Sequence, residues 1–138
     1  MTYHVKTGLD DPEFQKFKQM YDDLQSEKSK ENVWIVKPGE NTNQGRGISV
    51  FKDYREIQQF VEESTESKRK TCIIQKYIVN PLLISKRKFD IRSYACLTTT
   101  NGHLKGYFYD EGYLRTSSYE FSLQNLSNKN IHLTNDAI

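Results

Sequence analysis

The spacing of hydrophobic residues predicts a helix near the start of the chain, after residues 1–9, which carry no periodic pattern. Four apolar side chains recur at intervals of three and four, as on one face of a helix: Phe14, Phe17, Tyr21 and Leu24. Asp10 or Asp11 can cap this helix, and Pro12 suits its first turn. Because the other face is charged, we expect the helix to serve as a packing element.

The next part of the chain predicts three strands and a second helix. Apolar runs at 33–36 and 48–51 flank a polar loop with three glycines, which indicates strand, loop and strand. Asp53 can cap the helix that follows, whose apolar stripe has three members: Ile57, Phe60 and Val61. Residues 71–78 are β-branched and apolar enough for a buried strand, and Asn80-Pro81 ends it.

A long hairpin is predicted for the second half of the chain. Residues 89–100 alternate between a mostly apolar odd-numbered set and an even-numbered set that begins with three charges: Lys88, Asp90 and Arg92. Asn101-Gly102 is a strong signal for a tight turn, and residues 103–109 return antiparallel. A two-residue turn predicts two cross-strand pairs: Arg92 with Glu111, and Tyr94 with Tyr109.

The glycine loop after the first of these strands has two interpretations. Lys37 stands at its base, and Gly45 and Gly47 lack the Cβ atoms that would keep backbone N–H groups away from phosphate oxygens. However, the loop has no Gly-Lys-Ser/Thr ending and leads into a strand rather than a helix. From the residues alone, a glycine-rich hairpin with a surface lysine and a phosphate-binding loop both stay open.

Composition narrows the class of protein without deciding its activity. A chain of 138 residues has the length of about one domain, and a hydrophobic content of 36% leaves little core material. A net charge of +2 gives no global field that favours nucleic acid, although basic residues cluster at 68–70 and 86–88.

Cysteine usage and the lack of targeting segments predict a soluble cytoplasmic protein. Cys72 and Cys96 both lie in apolar runs, so we expect two buried free thiols in a reducing compartment. The first residues lack the apolar segment of a signal peptide, and no run is long enough to cross a membrane.

Several polar groups admit two interpretations each. Lys88, Asp90 and Arg92 form either a solvated, ion-paired strand face or the polar wall of a ligand cleft. The segment 75–78 is either a strand end that reaches water or a hinge that meets a nucleotide base. Thr134-Asn135, after a predicted strand, is typical of turns.

The remaining charged and titratable residues give weaker signals. Arg115 either binds an anion or pairs with Glu111 or Glu120. The three histidines show no metal-ligand spacing, and we assign them no role: His4, His103 and His132. There is no nucleophile elbow and no interleaving of aromatic and basic residues of the nucleic-acid-binding type.

A series of sequence strings follows in order across residues 32–138. The strings are Trp34–Pro38, Gln44–Ile48, Ile74–Ile78, Asn80–Ile84, Lys86–Arg92, Tyr113–Ser118 and His132–Asn135. Together they closely resemble the tubulin–tyrosine ligase and tubulin ligase-like family, whose fold is ATP-grasp. The fold expected from this resemblance is an α+β, ATP-grasp fold.

The resemblance implies an ATP-dependent ligase. ATP would phosphorylate a carboxylate, and the amine of glutamate, glycine or tyrosine would attack the acyl phosphate to form an amide. The expected acceptor is a tubulin C-terminal tail, which implies a cytoplasmic enzyme associated with microtubules or cilia. Neither nucleic acid nor a membrane is an expected partner.

The same resemblance assigns roles to individual residues. The expected nucleotide-binding residues are Lys37, Asn43, Gln44, Gly45, Arg46, Gly47, Gln75, Lys76, Ile78, Lys88, Asp90, Thr134 and Asn135. The expected catalytic residues are Lys88, Asp90, Arg92 and Arg115. Within these sets, the segment 75–78 would frame adenine, and Arg92 and Arg115 would hold the phosphorylated intermediate or the acidic tail. Thr134 and Asn135 would border the nucleotide and the incoming amino acid.

The resemblance also divides the chain. Residues 1–31 would form an N-terminal helix and linker, 32–84 the central ATP-grasp lobe, and 85–138 the start of the C-terminal lobe. The family binds Mg²⁺ through a later acidic pair and an asparagine, so the metal ligands are expected downstream and none is predicted here. Because phosphoryl transfer depends on the metal, we expect these 138 residues alone to be inactive. The alternatives are a non-catalytic fragment that binds nucleotide or tubulin tails, and an ATP-grasp ligase for another substrate.

Overall fold

Six strands and three helices make up the protein in a computed structural model, which describes residues 1–27, 31–39, 45–66 and 71–135. In chain order the elements are β1 (Thr2–Val5), a 3-10 turn (Gly8–Asp10), α1 (Pro12–Ser26), β2 (Trp34–Pro38), β3 (Ser49–Phe51), α2 (Tyr54–Glu66), β4 (Cys72–Lys76), β5 (Phe89–Thr100), β6 (His103–Thr116) and α3 (Lys129–His132). The predicted α+β class is confirmed.

Four of the strands form one antiparallel sheet in the order β1-β4-β2-β3. The hairpin of β2 and β3 and the central strand β4 were all predicted from apolar runs. Strand β1 was not, because the alternation over residues 1–9 is too short to stand out from a loop. It pairs with β4 from Thr2 opposite Gln75 to Val5 opposite Cys72. The sheet therefore includes part of the segment 1–31, and the predicted lobe boundaries remain a prediction.

Helix α1 begins at a capping carboxylate. Asp11 Oδ1 accepts from the backbone N–H of Glu13 at 2.9 Å, while Oδ2 accepts from the N–H groups of Lys6 at 2.7 Å and Thr7 at 3.0 Å. Burial alone would raise the pKa of Asp11, but these hydrogen bonds outweigh it and lower the pKa. Asp53 caps α2 in the same way, accepting from Arg55 N at 2.7 Å. Of the two predicted caps for α1, Asp11 is the one the structure uses.

Both helices cover one face of the sheet, and the main core lies between them and the strands. The predicted stripe of α1 is buried there: Phe14, Phe17, Tyr21 and Leu24. Trp34 of β2 is fully buried, with its ring 5.0 Å from that of Phe17 in an edge-to-face contact. Ile57 and Val61 of α2 are also fully buried in this cluster.

The opposite face of the sheet is partly covered by the segment that follows the long hairpin. Val33, Val50 and Tyr77 form a second buried cluster, against which three residues of that segment pack: Phe121, Leu123 and Leu126. The short helix α3 ends with Ile131 and His132, both buried. A strand was predicted before Thr134, and this was wrong, because side-chain capping by Asn128 starts a helical turn instead. Helix α3 brings Thr134 and Asn135 to the face of the sheet opposite α1 and α2.

Strands β5 and β6 form the predicted hairpin. The predicted register holds from Tyr94 to the turn and is shifted from Phe89 to Arg92. Tyr94 lies opposite Tyr109 as predicted, but Arg92 lies opposite Tyr113 rather than Glu111. A bulge between Arg92 and Tyr94 shifts the pairing. Gly112 belongs to this bulge, because a Cβ there would stand 2.7 Å from the carbonyl oxygen of Arg92.

The two cysteines have different environments. Cys72 is a buried free thiol, and burial, with a smaller effect from Asp11, raises its pKa to about 11. Cys96 is free but exposed on the hairpin, so the prediction that both are buried was wrong. Within the described ranges, no helix is long and apolar enough to cross a membrane.

Candidate functional site

The candidate site lies on the face of the sheet opposite α1 and α2. Because side chains alternate along a strand, Lys37 of β2 and Gln75 of β4 both point to this face, away from Trp34 and Ile74. Lys37 Nζ donates to Gln75 Oε1 at 2.7 Å. A lysine and an amide predicted from separate strings are therefore neighbours on adjacent strands.

A cleft of about 180 Å³ opens beside this pair. Its lining brings together residues from β2, β4, the segment after β4 and the start of the hairpin: Ile35, Lys37, Gln75, Lys76, Tyr77, Ile78 and Lys88. Five of these seven were predicted to bind nucleotide. The lining combines apolar side chains with the ammonium groups of Lys37 and Lys88, a composition that suits a ligand with an apolar ring and an anionic end.

Lys88 is the most constrained cation of the cleft. Its Nζ lies 3.1 Å from the hydroxyl oxygen of Tyr77 and 3.1 Å from the carbonyl oxygen of His132, and 4.7 Å from the centre of the Tyr77 ring. Burial, and then the charge of Lys37, lower the pKa of Lys88. The cleft therefore concentrates two positive charges, an arrangement that suits an anionic ligand.

Tyr77 and His132 form a buried hydrogen-bonded pair behind Lys88. The Tyr77 hydroxyl lies 2.8 Å from Nδ1 of His132, and Nε2 of the same ring lies 3.0 Å from the carbonyl oxygen of Asn125. Burial lowers the pKa of His132, and the charge of Lys88 adds to this against the opposing Asn125 hydrogen bond. Sequence reasoning assigned His132 no role, although it begins the string that contains Thr134 and Asn135.

Asp90 and Arg115 form an ion pair across the base of the hairpin. Arg115 Nε donates to Asp90 Oδ1 at 2.9 Å, and its Nη2 donates to the other carboxylate oxygen. The hydrogen bonds from Arg115 lower the pKa of Asp90, aided by the charges of Arg115 and Arg92 and by a hydrogen bond from Thr134. Arg115 thus pairs with Asp90, which was not among the partners considered from the sequence, because the bulge brings the two residues directly opposite each other.

The end of the described chain lies beside the start of β5. The backbone oxygen of His132 accepts a hydrogen bond from Lys88, and Thr134 donates one to Asp90. Two residues near the end of the described chain therefore bind two residues around the start of β5. The side chain of Asn135 lies next to the glycine loop, since a Cβ added to Gly45 would stand 3.1 Å from Asn135 Nδ2. Gly45 also has a φ of +77°, which favours glycine. The predicted residues at 45, 90, 134 and 135 thus form one connected group.

Other predicted residues are placed differently. Lys76 lines the cleft, but its ammonium group lies on the helix side of the sheet, 2.5 Å from the carbonyl oxygen of Glu31 and 5.1 Å from the Trp34 ring centre. Ile78 is 70% exposed at the rim. Arg46 and Arg92 are exposed, and Gly47 lies in the turn with a φ of +76°. Asn43 and Gln44, and the basic cluster at 68–70, fall outside the described residues.

The described residues do not fit a magnesium site. In the ranges that the structure describes, no group of three or more His, Cys, Asp or Glu side chains is placed to hold a metal ion. Asp90 is the acidic residue of the predicted site, and both of its oxygens accept from Arg115. We therefore derive no catalytic step through a metal from these residues.

Comparison with known proteins gives the family. The chain matches the Tubulin-tyrosine ligase family over residues 10–138, and it belongs to this family. The predicted resemblance is confirmed, and with it the expected ATP-grasp fold class.

Three relatives of this chain are named as tubulin glycylases or as a probable tubulin polyglutamylase. The chain is 45% identical over 111 residues to Tubulin glycylase 3D of Tetrahymena thermophila, covering 80% of this chain and 10% of the relative. It is 41% identical over 110 residues to the Probable tubulin polyglutamylase TTLL2 of Homo sapiens, covering 80% and 17%. It is 41% identical over 108 residues to the Tubulin monoglycylase TTLL3 of Homo sapiens, covering 78% and 14%. The chain thus spans less than a fifth of the length of each of these relatives.

A solved structure is also similar. The C-terminal domain from K. lactis Pby1, described as an ATP-grasp enzyme interacting with the mRNA decapping enzyme Dcp2, is 26% identical. The match covers 91% of this chain and 34% of that domain, with a TM-score of 0.44.

Proposed function

We propose that this chain provides the nucleotide-binding cleft of an ATP-dependent ligase that adds an amino acid to a tubulin C-terminal tail. Family membership and the names of the relatives, tubulin glycylases and polyglutamylases, support the acceptor and the type of bond. The proposed setting is the microtubule, in the cytoplasm or the cilium.

One observation carries the nucleotide part of the proposal. Lys37 and Lys88 line the same cleft, and among the described residues their hydrogen-bond acceptors are neutral oxygens of Gln75, Tyr77 and His132. An ammonium group whose acceptors are neutral oxygens leaves its positive charge uncompensated for a ligand, whereas a carboxylate partner would offset that charge. The two charges therefore suit the phosphates of ATP, and the apolar lining at Ile35 and Ile78 suits the faces of adenine.

The proposed reaction has two steps. An oxygen of the acceptor carboxylate attacks the terminal phosphorus of ATP, so that an acyl phosphate forms and ADP leaves. The amine of the incoming amino acid then attacks the acyl carbon and loses a proton, an amide bond forms, and the bond between the acyl carbon and the bridging phosphate oxygen breaks to release phosphate. In this scheme Lys37 and Lys88 bind phosphate oxygens, and Arg92 and Arg115 hold the acyl phosphate or the acidic tail.

A binding experiment tests the first step. We expect Lys37→Ala to weaken ATP binding by about tenfold or more, because it removes a charge-assisted hydrogen bond to phosphate. Lys52→Ala is the matched control, since Lys52 is exposed and pairs with Glu31 at 3.2 Å, outside the cleft. Isothermal titration of the 138-residue chain with ATP measures both.

Two results would count against the proposal. Equal ATP affinities of the Lys37 and Lys52 variants would remove Lys37 from the site. A chain that is folded by circular dichroism but binds no ATP would remove the nucleotide function altogether. For the acceptor, mass spectrometry of tubulin incubated with ATP, magnesium and glycine, glutamate or tyrosine tests whether the full-length enzyme extends the tail.

A further inference from the structure

We propose that Tyr77 and His132 are positioning residues that hold the ammonium group of Lys88 toward a phosphate in the cleft. This inference rests on the proposed nucleotide-binding function and extends it to residues that do not themselves need to touch the phosphate. It is carried by the direction of the hydrogen bonds that join the three side chains.

The direction of these hydrogen bonds follows from the chemistry of each group. The carbonyl oxygen of Asn125 can only accept, so Nε2 of His132, at 3.0 Å, must carry the hydrogen. In the neutral ring Nδ1 is then an acceptor, and the Tyr77 hydroxyl at 2.8 Å donates to it. The hydroxyl oxygen is thereby left to accept from Lys88 Nζ at 3.1 Å.

The ammonium group has three N–H donors. Two of them are used by the Tyr77 hydroxyl oxygen and by the backbone carbonyl of His132, each at 3.1 Å. The third remains for a ligand in the cleft that Lys88 lines. His132 is 3% exposed and Tyr77 is 5% exposed, so this support is packed in place before any ligand arrives.

Three substitutions separate positioning from packing. Tyr77→Phe keeps the ring and removes only the hydroxyl. His132→Gln keeps a donor near the Nε2 position but loses the acceptor that faces Tyr77. His132→Asn keeps an acceptor oxygen near the Nδ1 position, so it serves as the conservative rescue.

The readout is the difference between two ligands, ATP and adenosine, titrated into each variant and followed by NMR. We expect Tyr77→Phe and His132→Gln to weaken ATP binding by about three- to tenfold, because a lysine that loses one of its two supports is less well oriented. We expect adenosine binding to stay within about twofold, because adenosine has no phosphate to lose. His132→Asn should retain most of the ATP affinity.

Several results would overturn the inference. ATP affinity that is unchanged in Tyr77→Phe would show that Lys88 needs no such support. Equal losses for ATP and adenosine would show a general packing role instead. Failure of the unaltered chain to bind ATP would overturn the proposed function, and the inference would then be judged by nitrogen-15 shifts of His132. A ring protonated at Nδ1 would exclude the hydrogen-bond direction on which the inference depends.

Discussion

The four-stranded sheet and the β5–β6 hairpin are built from the same kind of alternating sequence, yet they differ in what covers them. Val36, Ile74 and Trp34 of the sheet are 0% exposed, whereas Ile91 and Leu97 of the hairpin are 68% and 73% exposed. The difference teaches that alternation determines the strand and the two faces, but it does not determine whether another part of the protein covers a face.

The reason lies in the neighbours of each region. Helices α1 and α2 supply an apolar stripe for one face of the sheet, and the segment after residue 117 covers part of the other. Next to the base of the hairpin, Ser117 N donates to the Lys88 carbonyl and Phe121 N to the Lys86 carbonyl, both at 2.8 Å, and Thr134 hydrogen-bonds Asp90 of β5. The base is also where the predicted catalytic residues lie.

The largest expected difference in the free energy of unfolding is between a substitution in the core and one on the hairpin. Trp34→Ala should lower the free energy of unfolding by about 3–5 kcal/mol, because it removes a fully buried ring from a packed cluster. Leu97→Ala should change it by about 0.5 kcal/mol or less, because Leu97 is mostly solvated. Urea denaturation of the two variants measures both values.

Similar losses in the two variants would contradict the comparison. They would mean that the hairpin face is covered in solution. Size-exclusion chromatography of the unaltered chain, run in parallel, would reveal whether a second copy provides that cover.

A smaller effect is expected when two histidines are compared: His132 of α3, which packs over the sheet, and His103 of the hairpin. Burial keeps the pKa of His132 below its ordinary value of 6.5, so the unfolded chain binds a proton more readily there. Stability should therefore fall as the pH is lowered from 6.5 toward the folded-state pKa of His132. Asp11 and Asp90 do not contribute in this range, because their pKa values lie below 3.8.

Urea denaturation at pH 7.5, 6.5 and 5.5 tests this expectation in two variants. His132→Asn should show a smaller decline between pH 6.5 and 5.5 than the unaltered chain. His103→Asn, on the exposed hairpin, should follow the unaltered chain. Parallel declines in all three proteins would show that His132 does not control the pH dependence.

The smallest difference in global stability between two paired variants is expected at the hairpin bulge. Gly112→Ala places a Cβ 2.7 Å from the carbonyl oxygen of Arg92, and backbone must move to relieve that contact. In Gly106→Ala the new Cβ meets only the end of the Leu97 side chain at 3.3 Å, which can turn aside. Because the hairpin is not part of the core, each change should cost about 1 kcal/mol or less in global unfolding.

Amide hydrogen exchange distinguishes these two glycine variants. Gly112→Ala should speed exchange along β5 and β6 while leaving β2 and β4 protected, and Gly106→Ala should leave both regions nearly unchanged. Faster exchange in β2 and β4 of the Gly112 variant would mean that the two regions unfold together.

Much of the candidate site could be predicted because its residues lie in strings of recognisable order. Lys37, Gln75 and Lys88 were predicted to meet one ligand, and they line one cleft. The ion pair of Asp90 with Arg115 was not predicted. The register counted from a two-residue turn has no bulge, and it is the bulge that places Arg115 opposite Asp90. The support of Lys88 by His132 was not predicted either, because 44 residues of chain separate the two partners.

The amino-acid sequence by itself determined the local structure of this protein. Periods of 3.6 and 2 residues set the helices and strands, Asp11 and Asp53 set where helices begin, and Asn101-Gly102 sets the hairpin turn. These features depend on side chains and backbone groups a few residues apart, so a short stretch of sequence contains all the interacting partners.

Tertiary structure alone decided which of these elements are covered and which polar groups meet. Strand β1 forms because β4 is there to pair with it, and His132 is buried, with a lowered pKa, because the segment after the hairpin folds back over Tyr77. The physical reason is that burial and long-range hydrogen bonds depend on groups brought together by the whole chain, which no local pattern specifies.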